Sequence, residues 1–145
     1  MLISSKGRYA LRLMIYVAQA TDGSDTVPLR KVAAAEGLSL KYLEQLAHAM
    51  VKAGYLRSVR GRDGGYQLDG DAAKITAGDI LRAAEGQAPT VACAGLEDSC
   101  PRESICSTVD FWIGLDNVID EYVDGVTLAQ LAGDDVNRKP YQTLA

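Results

Sequence analysis

Residues 29–68 read LRKVAAAEGLSLKYLEQLAHAMVKAGYLRSVRGRDGGYQL, from Leu29 to Leu68. Leu29 to Glu36 has the composition of a short helix. It stops at Gly37, a residue suited to the left-handed conformation just past a helix end. Ser39 offers a side-chain oxygen to cap the next helix, which the pattern carries from about Leu40 to Lys52, before Ala53-Gly54. Within that run Leu43, Leu46, Ala47 and Met50 fall at i, i+3, i+4 and i+7, so they are expected to face inward. The other side carries Lys41, Gln45, His48 and Lys52, flanked by Tyr42 and Glu44. Two short helices around a tight glycine turn, the second polar and basic outside, form a helix-turn-helix pattern. A helical hairpin with an ordinary wet face fits these residues equally well.

The next residues decide between the two. Tyr55–Val59 and Tyr66–Leu68 are short β-prone runs joined by Arg60-Gly61-Arg62-Asp63-Gly64-Gly65. The Asp-Gly-Gly sequence is expected to supply the positive φ angles of a hairpin. Two arginines on a glycine-rich tip directly after a candidate recognition helix make a winged helix-turn-helix, and narrow A·T-rich minor grooves attract arginine. A glycine-rich loop can also cradle phosphate at a helix start. Here a strand follows and no Gly-Lys-Ser/Thr occurs, which argues against nucleotide binding.

Working outward, Ser5 to Ala20 reads as a helix with Tyr9, Leu13, Met14 and Val17 on a core-facing stripe and Leu11 and Ile15 on a second apolar side. Residues 21–25 read as a loop. Ile75 to Ala84 is a further predicted helix with Thr76 as its candidate cap. Residues 86–105 show little periodicity and contain all three cysteines. From Ser107 to Val123 Phe111, Leu115, Val118 and Tyr122 form one stripe, with Trp112 and Ile119 beside it. So broad a stripe needs covering, by its own domain and by a second copy of the chain, since DNA regulators of this size are commonly twofold dimers. Thr127 to Ala132 is a last short helix. The expected architecture is mainly α with a small β-hairpin wing: a winged helix-turn-helix over 1–70, a cysteine-containing loop and dimerisation helix over 71–132 in the same compact domain, and a polar tail over 133–145.

The length of 145 residues suits one domain. No apolar run reaches the roughly 18 residues of a membrane span, and the start turns polar by Ser4-Ser5-Lys6 without a secretory stretch; a cytoplasmic protein is expected. The net charge of −4 hides an asymmetry. Residues 1–70 hold ten Lys or Arg against six acids, whereas 71–145 hold five against thirteen. That division points to a polyanion partner for the first half. With no base near the cysteines, no histidine pair and no nucleophile–base spacing, an enzyme is not expected.

Cys93, Cys100 and Cys106 form a C-x6-C-x5-C array in a segment containing Pro101. Thiolates are soft ligands that suit iron–sulfur clusters and zinc, and a loop can turn its sulfurs toward one point. The spacing differs from the C-x2-C pairs of structural zinc sites and from common ferredoxin runs. Three unrelated thiols, or a pair that oxidises reversibly, remain open readings. The odd count argues against a fully paired disulfide scaffold and for a reducing compartment.

Lys6-Gly7-Arg8-Tyr9-Ala10, Leu40-x-Tyr42-Leu43-Glu44-Gln45-Leu46, Arg60-Gly61-x-x-Gly64-Gly65-Tyr66, the three cysteines, Trp112 and Val126-Thr127-Leu128-x-x-Leu131 together resemble the Rrf-type regulators. The resemblance covers about residues 1–132. It implies a homodimeric winged helix-turn-helix transcription factor on double-stranded palindromic DNA. It further implies a repressor whose three-cysteine loop holds an iron–sulfur cluster, of the 2Fe-2S or 4Fe-4S form, and senses cluster, redox or nitric-oxide status. Tyr42, Glu44 and Gln45 would then lie on the recognition helix at the DNA and Arg60 at the minor groove, with Lys41, His48 and Arg62 beside them. Gln pairs bidentately with adenine, while Glu accepts from cytosine and repels phosphate, so Glu44 would act as a selectivity element. Lys41 departs from the small polar residue of the iron–sulfur regulator. The fourth cluster ligand is not assigned: Val109 stands where that regulator has histidine, and Arg8 where related nitric-oxide sensors have an acid. Asp110, Glu97, Asp98, Glu103 or a small thiol are the candidates. A second member type, the cysteine-metabolism repressor, implies the alternative of a metal-free repressor controlled by a metabolic-enzyme partner.

Overall fold

The long first helix organises the molecule because it is apolar on more than one side. In a computed structural model that describes residues 2–20, 25–90 and 100–133, helix α1 (Ser5–Ala20) buries Gly7, Ala10, Leu13, Met14 and Val17. Around it stand α2 (Leu29–Glu36), α3 (Leu40–Lys52), strands β1 (Leu56–Val59) and β2 (Gly65–Leu68), α4 (Ala77–Glu85), a single 3-10 turn at Glu103–Ile105, α5 (Val109–Asp124) and α6 (Leu128–Ala132). The α1 stripe meets Val32 of α2, Leu43, Leu46, Ala47 and Met50 of α3, Leu56 of β1, Ile80 of α4 and Leu128 of α6 in one core. Leu13, Met14, Leu43, Met50 and Ile80 are fully enclosed, each contributing about 1.5–3 kcal/mol of apolar burial.

The two helices of the opening stretch end where their residues dictate. Gly37 takes φ 66°, ψ 36° after α2, and Leu38 N–H returns to Ala33 O at 3.1 Å. The Ser39 hydroxyl accepts from Tyr42 N–H at 3.4 Å at the start of α3. Antiparallel pairing sets Leu56 against Leu68, Arg57 against Gln67, Ser58 against Tyr66 and Val59 against Gly65. Tyr66 also exchanges two backbone hydrogen bonds with Val27, at 2.8 and 2.9 Å, so the wing is hooked to the chain just before α2. The positive φ of the turn falls on Gly61, at 123°, and not on the Asp63-Gly64-Gly65 run that the sequence had singled out. Gly64 and Gly65 are required by space instead: a Cβ on Gly65 would lie 2.5 Å from Val27 O.

Helix α4 begins at Ala77, two residues later than the periodicity suggested, because Thr76 and Asp79 close a capping box with bonds of 3.0 and 2.9 Å. Thr127 and Gln130 build the same device at α6. The two caps lie side by side: Ala77 N–H donates to Val126 O and Leu128 N–H to Ile75 O, both at 2.8 Å. Helix α5 starts at Val109 rather than Ser107 and lies on α4 through a small second cluster of Ala77, Leu81 and Val123, flanked by Ile119 and Val126. Its self-packing therefore uses Ile119 and Val123. Of the stripe expected to be covered, Phe111 (63%), Val118 (63%) and Tyr122 (73%) are exposed in the single chain. The 21–24 part of the expected loop, Cys93 and the tail from 134 lie outside the described residues.

Candidate DNA interface and cysteine turn

On α3, the buried face of Leu43, Leu46, Ala47 and Met50 leaves Lys41, Glu44, Gln45 and His48 exposed on the opposite side. Their side chains project from a helix fixed at its start by Ser39, with Lys52 in its last turn. Arg60 and Arg62 are exposed at the wing tip. Thr26 supports that tip by donating to Asp63 O at 2.5 Å. Among the described residues, Lys41, Arg60 and Arg62 take part in no ion pair, so their charges are available to a polyanion.

Tyr42 behaves differently from its neighbours. It is half-buried, with its ring edge-on to Tyr9 at 5.8 Å between centroids and its hydroxyl 3.4 Å from Ser5 Oγ. Tyr9 in turn lies under the Arg8 and Arg12 guanidinium groups, 5.8 and 5.5 Å from its ring centre. Arg12 is pinned to Glu36 at the end of α2, through the carboxylate at 2.6 Å and the backbone carbonyl at 2.7 Å. The first turns of α1 and α3 are thus knitted together beside the exposed α3 face.

The cysteine segment leads directly into α5. Glu103 N–H donates to Cys100 O at 2.9 Å and Cys106 N–H to Glu103 O at 3.4 Å, forming the compact turn between the two thiols. Both are free thiols; Cys100 is half-buried and Cys106 exposed. Hydrogen bonding to the Thr108 hydroxyl, 3.4 Å away, and then to the Thr108 and Val109 amides holds the Cys106 thiol below its ordinary range. A thiol so biased toward thiolate is a chemically suitable metal ligand. Cys100 and Cys106 thus stand at the two ends of one short turn, and thiolates are the donor type a thiophilic group takes. Among the described residues, which omit Cys93, Glu97 and Asp98, no three His, Cys, Asp or Glu side chains gather into a site. Asp110 and Glu103 are exposed, and Val109 contributes no donor.

Three sets of contacts at the base of this segment escaped the sequence reading. Thr90 N–H donates to Asp116 of α5 at 2.9 Å. Arg82 of α4 pairs with Asp124 and lies 3.9 Å from Asp120. Glu85 ends α4 and accepts at Oε1 from Ser4 N–H (2.6 Å), Ser4 Oγ–H (2.7 Å) and Gly7 N–H (2.8 Å). Burial alone would raise the Glu85 carboxyl, but these donors and the Lys6 charge outweigh it and hold it below the usual carboxylate range. One signal was available for Glu85. A carboxylate in the last turn of a helix opposes the helix dipole, so it needs a partner elsewhere.

A three-helix core carrying an exposed second helix of a helix-turn-helix and a basic hairpin defines a winged-helix DNA-binding protein. Residues 3–134 match the Rrf2 family, described as an iron-dependent transcriptional regulator. The chain is 38% identical over 134 residues to the HTH-type transcriptional regulator IscR of Vibrio vulnificus, covering 92% of this chain and 79% of that one. Among solved structures, CymR, the global cysteine regulator of B. subtilis, is 39% identical with a TM-score of 0.74, covering 91% of this chain and 96% of that one. IscR of T. potens is 33% identical with a TM-score of 0.75, covering 98% and 93%. The chain belongs to the Rrf2 family of DNA-binding transcriptional regulators and is not an enzyme. No helix among the described residues is long and apolar enough to cross a membrane.

Proposed function

We propose that this protein is a cytoplasmic repressor that binds a palindromic operator as a homodimer and senses iron–sulfur, redox or nitric-oxide status through Cys93, Cys100 and Cys106. The observation that carries the reading is continuity: the Cys100–Cys106 turn runs straight into a helix whose Phe111, Val118 and Tyr122 are uncovered. An apolar side of this kind on α5 suits a second copy of the chain. Pairing there sets the spacing of two α3 helices, and the turn preceding α5 is placed to alter that spacing. Lys41, Glu44, Gln45 and His48 are the proposed major-groove readers, Tyr42 orients the start of α3 beside them, and Arg60 and Arg62 reach the minor groove and phosphates.

The three cysteines would hold a 2Fe-2S or 4Fe-4S cluster, which when bound supplies a centre sensitive to oxidants and nitric oxide. The protein's part is to keep the thiols together, to bias Cys106 toward thiolate and to connect their turn to α5. The likeness to IscR from two organisms supports this reading. Anaerobic purification with iron and sulfide assays and an absorption spectrum tests it. Iron and sulfide with visible absorbance are expected, and a colourless, iron-free protein would remove the cluster.

The likeness to CymR favours a second reading, a metal-free repressor of cysteine or sulfur metabolism controlled by a metabolic-enzyme partner. Replacing all three cysteines by alanine separates the two. Regulation in cells that survives the replacement selects the metal-free form.

A further inference from the structure

Resting on the sensing reading above, we infer that Glu85 is a positioning residue that transmits the state of the cysteine segment to the recognition helix through the first turn of α1. Glu85 joins α4, whose end leads into the cysteine segment, to α1, whose first turns pack on Tyr42 of α3.

Contacts among the described residues run from α5 through the end of α4 and the start of α1 to α3. Glu85 is the last residue of α4, and Gly86, with φ 84°, turns the chain into the segment that reaches Cys93 seven residues later. Thr90 in that segment is tied to Asp116 of α5. On its other side the Glu85 carboxylate caps α1 through Ser4 and Gly7. That same turn of α1 holds Ser5 against the Tyr42 hydroxyl, and one turn on, Tyr9 packs edge-on to the Tyr42 ring. Tyr42 N–H is itself the donor to the Ser39 cap of α3. A shift at the end of α4 therefore meets the start of the recognition helix through one helical turn.

Side chains of α4 close directly on α1 at Gly7. A Cβ on Gly7 would come within 2.8 Å of Glu85 Oε1 and 2.9 Å of Leu81 Cδ2, so α1 and α4 are in close register there.

Coupling between two sites is reciprocal, typically about 5- to 150-fold in affinity, and this provides the test. Duplexes selected from a random pool are titrated with full-length protein as the reduced apo form and after reconstitution with iron and sulfide, for wild type, Glu85→Gln and Glu85→Ala. Hydrogen exchange of residues 100–112 is measured in the apo protein with and without the duplex. In the wild type the two forms should differ in affinity within that range, and DNA should change exchange in residues 100–112. In the Glu85 variants the affinity ratio should fall toward one and the DNA-dependent exchange change should vanish, while helicity and the salt dependence of binding stay as in the wild type. Should Glu85→Ala misfold, Ser4→Ala, which removes only the hydroxyl donor, should reduce the ratio partially. Variants that keep the wild-type ratio and exchange response would overturn the inference and leave the sensing reading intact. A wild type that binds duplex equally in both forms would overturn both, and one that selects no duplex would remove the DNA reading itself.

Discussion

Gly65→Ala tests whether the wing is held by a close backbone approach. The added methyl would stand 2.5 Å from Val27 O, 2.6 Å from Val27 C and 2.8 Å from Pro28 N. All three are main-chain atoms, so no side chain can swing away. Either the core absorbs the overlap, at about 1–3 kcal/mol, or β2 lifts off Val27. Lifting off gives up the two backbone bonds between Val27 and Tyr66, each worth about 1 kcal/mol net. The cheaper route sets the cost, about 1–2 kcal/mol. For a domain of this size that lowers Tm by about 3–10 °C. Ser58→Ala, at an exposed position on the neighbouring strand, should stay within about 0.5 kcal/mol of wild type. Thermal unfolding by circular dichroism measures both. Because Arg60 and Arg62 ride on the hairpin, affinity for a selected duplex should also fall about tenfold, or about 1.4 kcal/mol. A Gly65→Ala protein that melts and binds like the wild type would refute the hooked-wing argument.

Other consequences are equally concrete. Arg60→Ala should weaken duplex binding and reduce the steepness of log affinity against log salt by about 0.9 for one lost phosphate contact, as read by fluorescence anisotropy between low and high salt. Val118→Asp or Tyr122→Asp puts a charge on the uncovered side of α5; sedimentation velocity should show single chains while circular dichroism shows unchanged helix content. The Glu85 carboxyl is held below its usual range in the folded protein, so its hydrogen bonds stabilise the fold above the unfolded value of about 4.3. That contribution is lost as pH falls through the lower folded value. Urea unfolding of Glu85→Gln should therefore show a stability deficit at pH 7 that narrows by pH 3, and a deficit constant with pH would contradict the carboxylate's role.

What could be read from the sequence was local. Gly37, Ser39, Thr76 and the i, i+3, i+4, i+7 series of α3 act within a few residues of themselves, and the helices they bound formed where expected, within two residues. The wing was legible from its glycines and arginines, but the reason for Gly65 was not: Val27, its steric partner, lies 38 residues earlier. The same distance problem hid Glu85, whose partners sit at the opposite end of the chain, at Ser4 and Gly7. Tyr42 shows the limit of helical periodicity. The sequence set it at the flank of the polar face, on the helix expected at the DNA, and α1 crosses close enough for Tyr9 and Ser5 to pack against it. The α5 stripe was seen as apolar, and only the packing of Ile119 and Val123 on α4 separated the self-covered side from the uncovered one.

The central claim, two copies of the chain joined along α5 and reading one duplex, is tested most directly by the mass of the complex. A short duplex selected from a random pool, mixed with increasing protein and analysed by sedimentation equilibrium, should saturate at two chains per duplex. Saturation at one chain, or failure of any duplex to be selected, would contradict it.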